Sequence, residues 1–402
     1  MLEIPHTDRL VKIPLKFAYG VPIIEFAYGT PSQSFSGVFD TGSVVSWVMS
    51  DKCNSSVCTS VDDKTKFHKD QSSTNTAFDY TITVDYIDGS SVRVRPELDT
   101  LTLESEQHDI VRFPKHLLGE AYQVYLPKSY PSGTNGRLAV GDFGAFGKYL
   151  DSAQGLLQGL EHLAGVLGRA VADDRSTSTG YSAGDAPPSE SFKKRDGVHS
   201  TFEWALGPDP SKYTGKLYKL PLQHRFSIKR QDSSSYWKLP IRSLRLTESP
   251  DYMSLTQKVL PFLEQIDFVM EEYGVVDSST PYLHFPRYAA QKFNKAIGAY
   301  YNAEKDLYQV SCDILHEKNQ KGLVIQFNGI NVVIPPHQYI ITHKAGCYSA
   351  VVNSKNDEIH LGGPFFRSFY LEFHTKEKFI GIAQSVTKLG YLYPNSIFGL
   401  PI

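Results

Sequence analysis

Apolar and polar residues alternate with a period of two through much of this chain, which is the spacing of half-buried β-strands. Ile13, Leu15 and Phe17 alternate, and Ile23-Ile24-Glu25-Phe26 runs on into a Gly29-Thr30-Pro31 turn, so Leu10 to Val48 reads as a set of strands. Tyr80, Ile82, Val84 and Tyr86 alternate up to Asp88-Gly89, and Val92, Val94, Leu98, Leu101 and Leu103 return. Asp-Gly between two such runs predicts a hairpin. From Lys148 to Ala172 the leucines at 150, 157, 160, 163 and 167 follow a helical period, weakened by four glycines. Asp173 to Glu190 is rich in Ser, Thr, Gly, Ala and Pro and reads as an exposed insertion near 173–190. The basic triplet Lys193-Lys194-Arg195 reads either as a processing site or as part of a hairpin pairing 191–194 with 201–206, the hairpin being favoured.

In the second half, Leu217 to Leu222 and Trp237 to Leu246 read as strands, and Met253 to Glu271 as a helix or a long loop. Phe285 to Ile297 predicts a helix with a proline near its start. Leu323 to Gly329 with Val332 to Pro336 predicts a hairpin, and Phe369 to Phe373 with Phe379 to Ala383 another. The tail from Gln384 to Ile402 matches no element.

Two acids interrupt the apolar runs at strand ends. Val38-Phe39-Asp40-Thr41-Gly42-Ser43 places a carboxylate in a tight loop between apolar segments, where backbone N–H groups and hydroxyls must satisfy it. Taken alone, Asp-Thr-Gly also reads as an ordinary turn. Far downstream, Val275-Val276-Asp277-Ser278-Ser279-Thr280 repeats the design, and two copies suggest two similar lobes that bring the acids together.

With these motifs, the chain resembles the pepsin-like aspartic proteases over most of its length. Gly29-Thr30-Pro31-Ser32-Gln33 precedes the first acid as in that family, and Phe67 to Thr74 is similar to the segment before its flap. Tyr86-Ile87-Asp88-Gly89-Ser90 resembles the flap tip, Tyr213-Thr214-Gly215 and Tyr236-Trp237 the passage between lobes, and Leu361 to Arg367 the closing motif. The resemblance implies a mostly β, bilobal fold with two pseudo-symmetric lobes flanking a long cleft, the first over 1–215 and the second over 216–402. It implies catalytic Asp40 and Asp277, supported by Thr41, Gly42, Ser43, Ser278 and Thr280. Thr41 and Ser278 would join the two loops, Ser43 and Thr280 would bond the acids' outer oxygens, and Tyr86, steadied by Trp47 and flanked by Gly89 and Ser90, would close over a peptide. The chemistry implied is acid-range peptide hydrolysis, with two carboxyls sharing one proton and activating a water, and no cofactor.

Five sites depart from the family pattern. Ile87 stands where glycine is common, Arg137 where an apolar residue is normal, Ser279 where glycine is usual, and Gly363-Pro364 where an acid is frequent. Pro281 also replaces a small hydroxyl residue. A second reading therefore stays open, in which a catalytically inactive relative binds peptide or protein in the same cleft.

Composition narrows the setting. The chain has 402 residues, 41 Lys+Arg against 43 Asp+Glu, and no charge excess that points to nucleic acid. No apolar run is long enough for a membrane span. No His or Cys cluster has metal-ligand spacing. The four cysteines allow three pairings; the resemblance implies Cys53 with Cys58 and Cys312 with Cys347, hence an oxidising compartment, secreted or vacuolar. The first residues lack the apolar core of a signal peptide, which reads as a cytosolic chain or a trimmed one, the cysteines favouring the latter. Asn54-Ser55-Ser56 is a glycosylation sequon. A monomer is expected, since one chain carries both acids.

Overall fold

The computed structural model describes residues 10–141, 178–182, 202–222, 237–249, 262–343, 346–374 and 377–394. The helix expected at 148–172, the basic triplet at 193–195 and most of the 173–190 insertion lie outside them. The described residues are mostly β-strand and fall into two compact units, one holding residues 10–141 with 203–208, the other running from Asp209 onwards.

In the first unit, the order across the sheet is Val11–Ala18, Val21–Tyr28, Gln33–Asp40, Gly136–Ala139, Trp47–Met49, Ile110–Tyr125, Ser91–Glu104 and Thr76–Ala77. The alternation seen in the sequence is the burial pattern: Val11, Ile13 and Leu15 are buried while Pro14 and Lys16 face out. Gln33–Asp40 instead becomes wholly buried at its C-terminal end, which is why its apolar run is continuous up to the acid. It pairs in parallel with Gly136–Ala139, Gly37 opposite Gly136 and Val38 opposite Arg137. A Cβ on Gly37 would lie 2.6 Å from the Gly136 carbonyl carbon, so glycine is required for the strands to approach. Trp47 is fully buried in the core, and Phe39 packs on Trp204 with ring centroids 5.0 Å apart. The expected hairpin forms from Ile82–Asp85 and Ser91–Glu104, Asp85 opposite Ser91.

In the second unit, an eight-stranded sheet includes Lys238–Ser249, Phe262–Val276, Ile359–Leu361, Leu283–Phe285 and the hairpin Gln320–Phe327 with Ile330–Ile334. The segment read as a helix or loop before the second acid is, from Phe262, a 15-residue strand paired to Lys238–Ser249. Tertiary pairing overrides its mixed polar pattern, with Glu264 opposite Leu246 and Glu272 opposite Ile241. Part of the unassigned tail, Tyr391–Pro394, is a strand beside Ile330–Ile334. The helix Arg287–Ala296 follows Pro286 as expected and buries Ala289, Ala290 and Phe293. Disulfides Cys53–Cys58 and Cys312–Cys347 are both formed, fitting an oxidising compartment. Among the described residues, no helix is long and apolar enough to cross a membrane.

Two glutamates, Glu97 and Glu120, are fully buried on neighbouring strands of the first unit. Lys69 Nζ stands 3.4 Å from Glu120 and 3.6 Å from Glu97, Ser50 donates to Glu120 at 2.6 Å, and Asn75 donates to Glu97 at 2.7 Å. One cation cannot neutralise two buried carboxylates. Burial and the neighbouring Glu120 raise Glu97 to about 8. Because the folded value is raised, the stability that Glu97 contributes is full below its unfolded value near ~4.5 and is lost as the pH climbs through about 8. Thermal melts should therefore show a falling transition temperature between pH 6 and about 9, and Glu97→Gln should flatten that fall; an identical slope in the variant would contradict it.

Candidate active site

Each acid closes a strand and is gripped by the loop that follows. Asp40 is 1% exposed; the Gly42 N–H donates to its Oδ1 at 2.7 Å and the Ser43 hydroxyl to its Oδ2 at 2.7 Å. Asp277 is 2% exposed, and both the N–H and the hydroxyl of Ser279 donate to its Oδ1, at 2.9 and 2.7 Å. The serine in place of glycine therefore adds a donor to the carboxylate. Thr41 and Ser278 are buried beside their acids.

The Oδ2 of each acid also meets a cation. Arg137, fully buried, places Nη1 2.6 Å from Asp40 Oδ2. Its Nη2 donates to Asp88 Oδ2 at 2.5 Å and lies 3.3 Å from the Ser90 hydroxyl, and the guanidinium sits 3.9 Å from the centroid of the Tyr86 ring. Burial alone would favour the neutral guanidine; the charges of Asp88 and Asp40 outweigh it and push the Arg137 value well above its ordinary one. In the second unit, His360 Nδ1 donates to Asp277 Oδ2 at 2.8 Å, while its Nε2 stands 3.6 Å from Glu358, which Lys238 meets at 3.6 Å. Burial acts against the charged imidazole, yet Asp277 and Glu358 raise His360 to about 9. Burial likewise opposes ionisation of Asp277, and His360 with Ser279 brings its pKa below the usual carboxylate value.

Strand register explains both cations. Side chains two apart on a strand share a face. Arg137 is in parallel register with Val38, two residues before Asp40, and His360 with Val275, two residues before Asp277. Arg137-Leu138-Ala139 and His360-Leu361-Gly362 are thus equivalent strands of the two units, and each presents its first residue to the acid.

Several expected roles change. Thr280, expected on Asp277's outer oxygen, instead bonds His284 Nε2 at 2.8 Å, and His360 takes that oxygen. His284, buried and beside the charged His360, is lowered to about 3 and stays neutral. Trp47 was expected to steady Tyr86; the Tyr86 hydroxyl donates to the Val45 carbonyl at 3.3 Å, and Trp47 Nε1 finds no acceptor among the described residues. Trp47 and Tyr86 do share one apolar cluster. Gly89 and Ser90 form the hairpin turn, Gly89 at φ +88° and Ser90 donating to Asp88 from its N–H at 2.7 Å and its hydroxyl at 2.5 Å. Arg137 was visible in the sequence as an oddity without a role, and His360 was missed; the signal was a lone histidine in the apolar stretch Ile359-His360-Leu361. Among the described residues, no three His, Cys, Asp or Glu side chains are grouped to hold a metal ion.

An acid at the end of a buried strand in each of two β units, gripped by the loop after it, defines a pepsin-like aspartic protease fold. The family model for eukaryotic aspartyl protease matches residues 23–136 and 199–385, and the chain belongs to that family. Gastricsin from Callithrix jacchus is 26% identical over 366 residues, covering 89% of this chain and 80% of the relative. Pregnancy-associated glycoprotein 4 from Ovis aries is 25% identical over 364 residues with the same shares, and gastricsin from Homo sapiens is 26% identical over 371.

Removing one partner of a buried ion pair strands the other charge. Arg137→Met should destabilise the protein by about 3–5 kcal/mol in chemical denaturation, and adding Asp40→Asn should recover part of the loss. A loss below about 1 kcal/mol would show that the pair does not hold the loop.

Proposed function

We propose that this chain uses the pepsin-like fold to bind a peptide or protein segment under the 82–104 hairpin without hydrolysing it. The observation that carries this reading is the buried cation on each acid, Arg137 on Asp40 and His360 on Asp277. Water activation in this family needs one carboxylate to accept a proton and one neutral carboxyl to donate. Like charges forced together raise one acid's pKa and so supply the neutral form. A guanidinium that cannot be deprotonated and an imidazolium raised to about 9 remove that driving force, because each carboxylate is neutralised within its own unit. The arrangement also takes up the oxygens on which a water and a peptide carbonyl would act.

Acid-range endopeptidase activity is the second reading. It is favoured by the retained donors of Gly42, Ser43 and Ser279, which hold both carboxylates as the chemistry requires. In either reading the ligand is a peptide, no cofactor takes part, the site is complete in a monomer, and the disulfides suit a secreted or vacuolar setting.

Incubating the protein with a denatured globular substrate from pH 3 to 7 separates the two. The proposal predicts no cleavage by the wild type at any pH, and an inhibitory peptide that mimics the tetrahedral intermediate should bind no more tightly than a plain peptide of the same sequence. Cleavage in acid that disappears in a folded Asp40→Asn variant would establish the endopeptidase instead.

A further inference from the structure

The hydrogen bonds of Arg137 divide into a fixed set and a releasable one. Nη1 is held on Asp40, whose carboxylate is anchored by Gly42 and Ser43 in the acid loop. Nη2 is held by Asp88 and Ser90, which belong to the turn of the 82–104 hairpin. That turn closes on itself: the Gly89 N–H donates to the Tyr86 carbonyl at 3.0 Å, the Tyr86 N–H to the Ser90 carbonyl at 2.9 Å, and both Ser90 donors reach Asp88 Oδ1. None of these bonds depends on Arg137, so Asp88 Oδ2, on a side chain already 17% exposed, can pass to water by a local shift of residues 87–90 while Tyr86 stays on the Val45 carbonyl.

That shift leaves the arginine in deficit. Arg137 Nε has no acceptor among the described residues even with the turn in place, and Nη2 would lose its partners. Nε–H and the Nη2–H beside it form one edge of the planar guanidinium, the edge that a carboxylate bridges with two parallel hydrogen bonds. A neutral peptide entering beneath the turn offers the buried cation only carbonyl acceptors, which bond it more weakly than the carboxylate they replace. A ligand carrying a carboxylate would satisfy both donors. The Tyr86 ring at 3.9 Å and the Tyr130 ring at 5.9 Å from the guanidinium offer apolar contact beside it.

We infer that the site under the hairpin selects an acidic peptide, whose Asp or Glu side chain takes the place of Asp88 on Arg137. The inference rests on the proposal that peptides bind beneath the hairpin. Asp88 then acts as a built-in competitor that caps the arginine when no ligand is present.

Random dodecapeptides displayed on phage, panned on the full chain, test this. Selected peptides should share an acid at one fixed position, and changing that Glu to Gln in fluorescent synthetic copies should weaken binding by about tenfold or more. Arg137→Met should bind the Glu and Gln copies equally, and Asp88→Asn should bind the Glu copy several-fold more tightly than wild type. Should Arg137→Met fail to fold, the Asp88→Asn comparison decides alone. Selection of peptides without a shared acid, a Glu-to-Gln difference that persists in folded Arg137→Met, no gain in Asp88→Asn, or no peptide selected at all would each overturn the inference. Mass spectrometry of the bound copies reads hydrolysis separately: cut peptides that still require the acid would refute the non-hydrolytic reading and leave this one standing.

Discussion

A buried carboxylate at the end of a strand must be neutralised or richly hydrogen-bonded, and everything distinctive here follows from how the fold meets that need twice. The first loop supplies the N–H and hydroxyl donors that the family pattern predicts, while in the second Ser279 supplies both and Thr280 turns to His284. The parallel strand beside each acid then supplies a cation, from the register position two residues back. Since the two units repeat the same strand pairing, the same position carries the cation in both, as arginine in one and histidine in the other. Neither is an accident of side-chain length. Each follows from which residue faces the acid across the ladder.

Arg137 does more than neutralise Asp40. Its guanidinium joins three pieces of the first unit: the acid loop, the hairpin turn through Asp88 and Ser90, and the aromatic pair Tyr86 and Tyr130. The hairpin thus rests on the acid loop through a charged contact, where an apolar residue at position 137 would have offered only packing. His360 reaches inward differently, tying Asp277 to Glu358 and Lys238 and leaving His284 neutral with Thr280. The serine of the second motif, a departure from the family pattern in sequence, donates twice to the acid.

Most of the fold was legible because burial and alternation coincide: strands such as Val11–Ala18 and the 82–104 hairpin are written in their residue pattern. The strand Phe262–Val276 was not, because two of its charged residues, Glu264 and Glu272, stand opposite apolar partners across the sheet and only that pairing makes it a strand. The acids and their first donors were legible because they are adjacent in sequence. The cations were not, because Arg137 lies 97 residues from Asp40 and His360 lies 83 from Asp277, and only strand register brings them together. Arg137 showed itself as a charge in an apolar stretch, which flags a position without naming its partner. The exchange of Thr280 for His360 on Asp277 was invisible for the same reason.

The central claim is that each acid carries its own cation and does not share a proton. It is tested most directly by following the Asp277 carboxyl carbon in ¹³C NMR as the pH falls, assigned with Asp277→Asn. The account predicts that this carbon stays at its ionised position through the ordinary aspartate range near ~3.9 and takes up its proton only below it. A carboxyl that gains its proton above that range, in two coupled steps, would show a working acid pair and contradict the account.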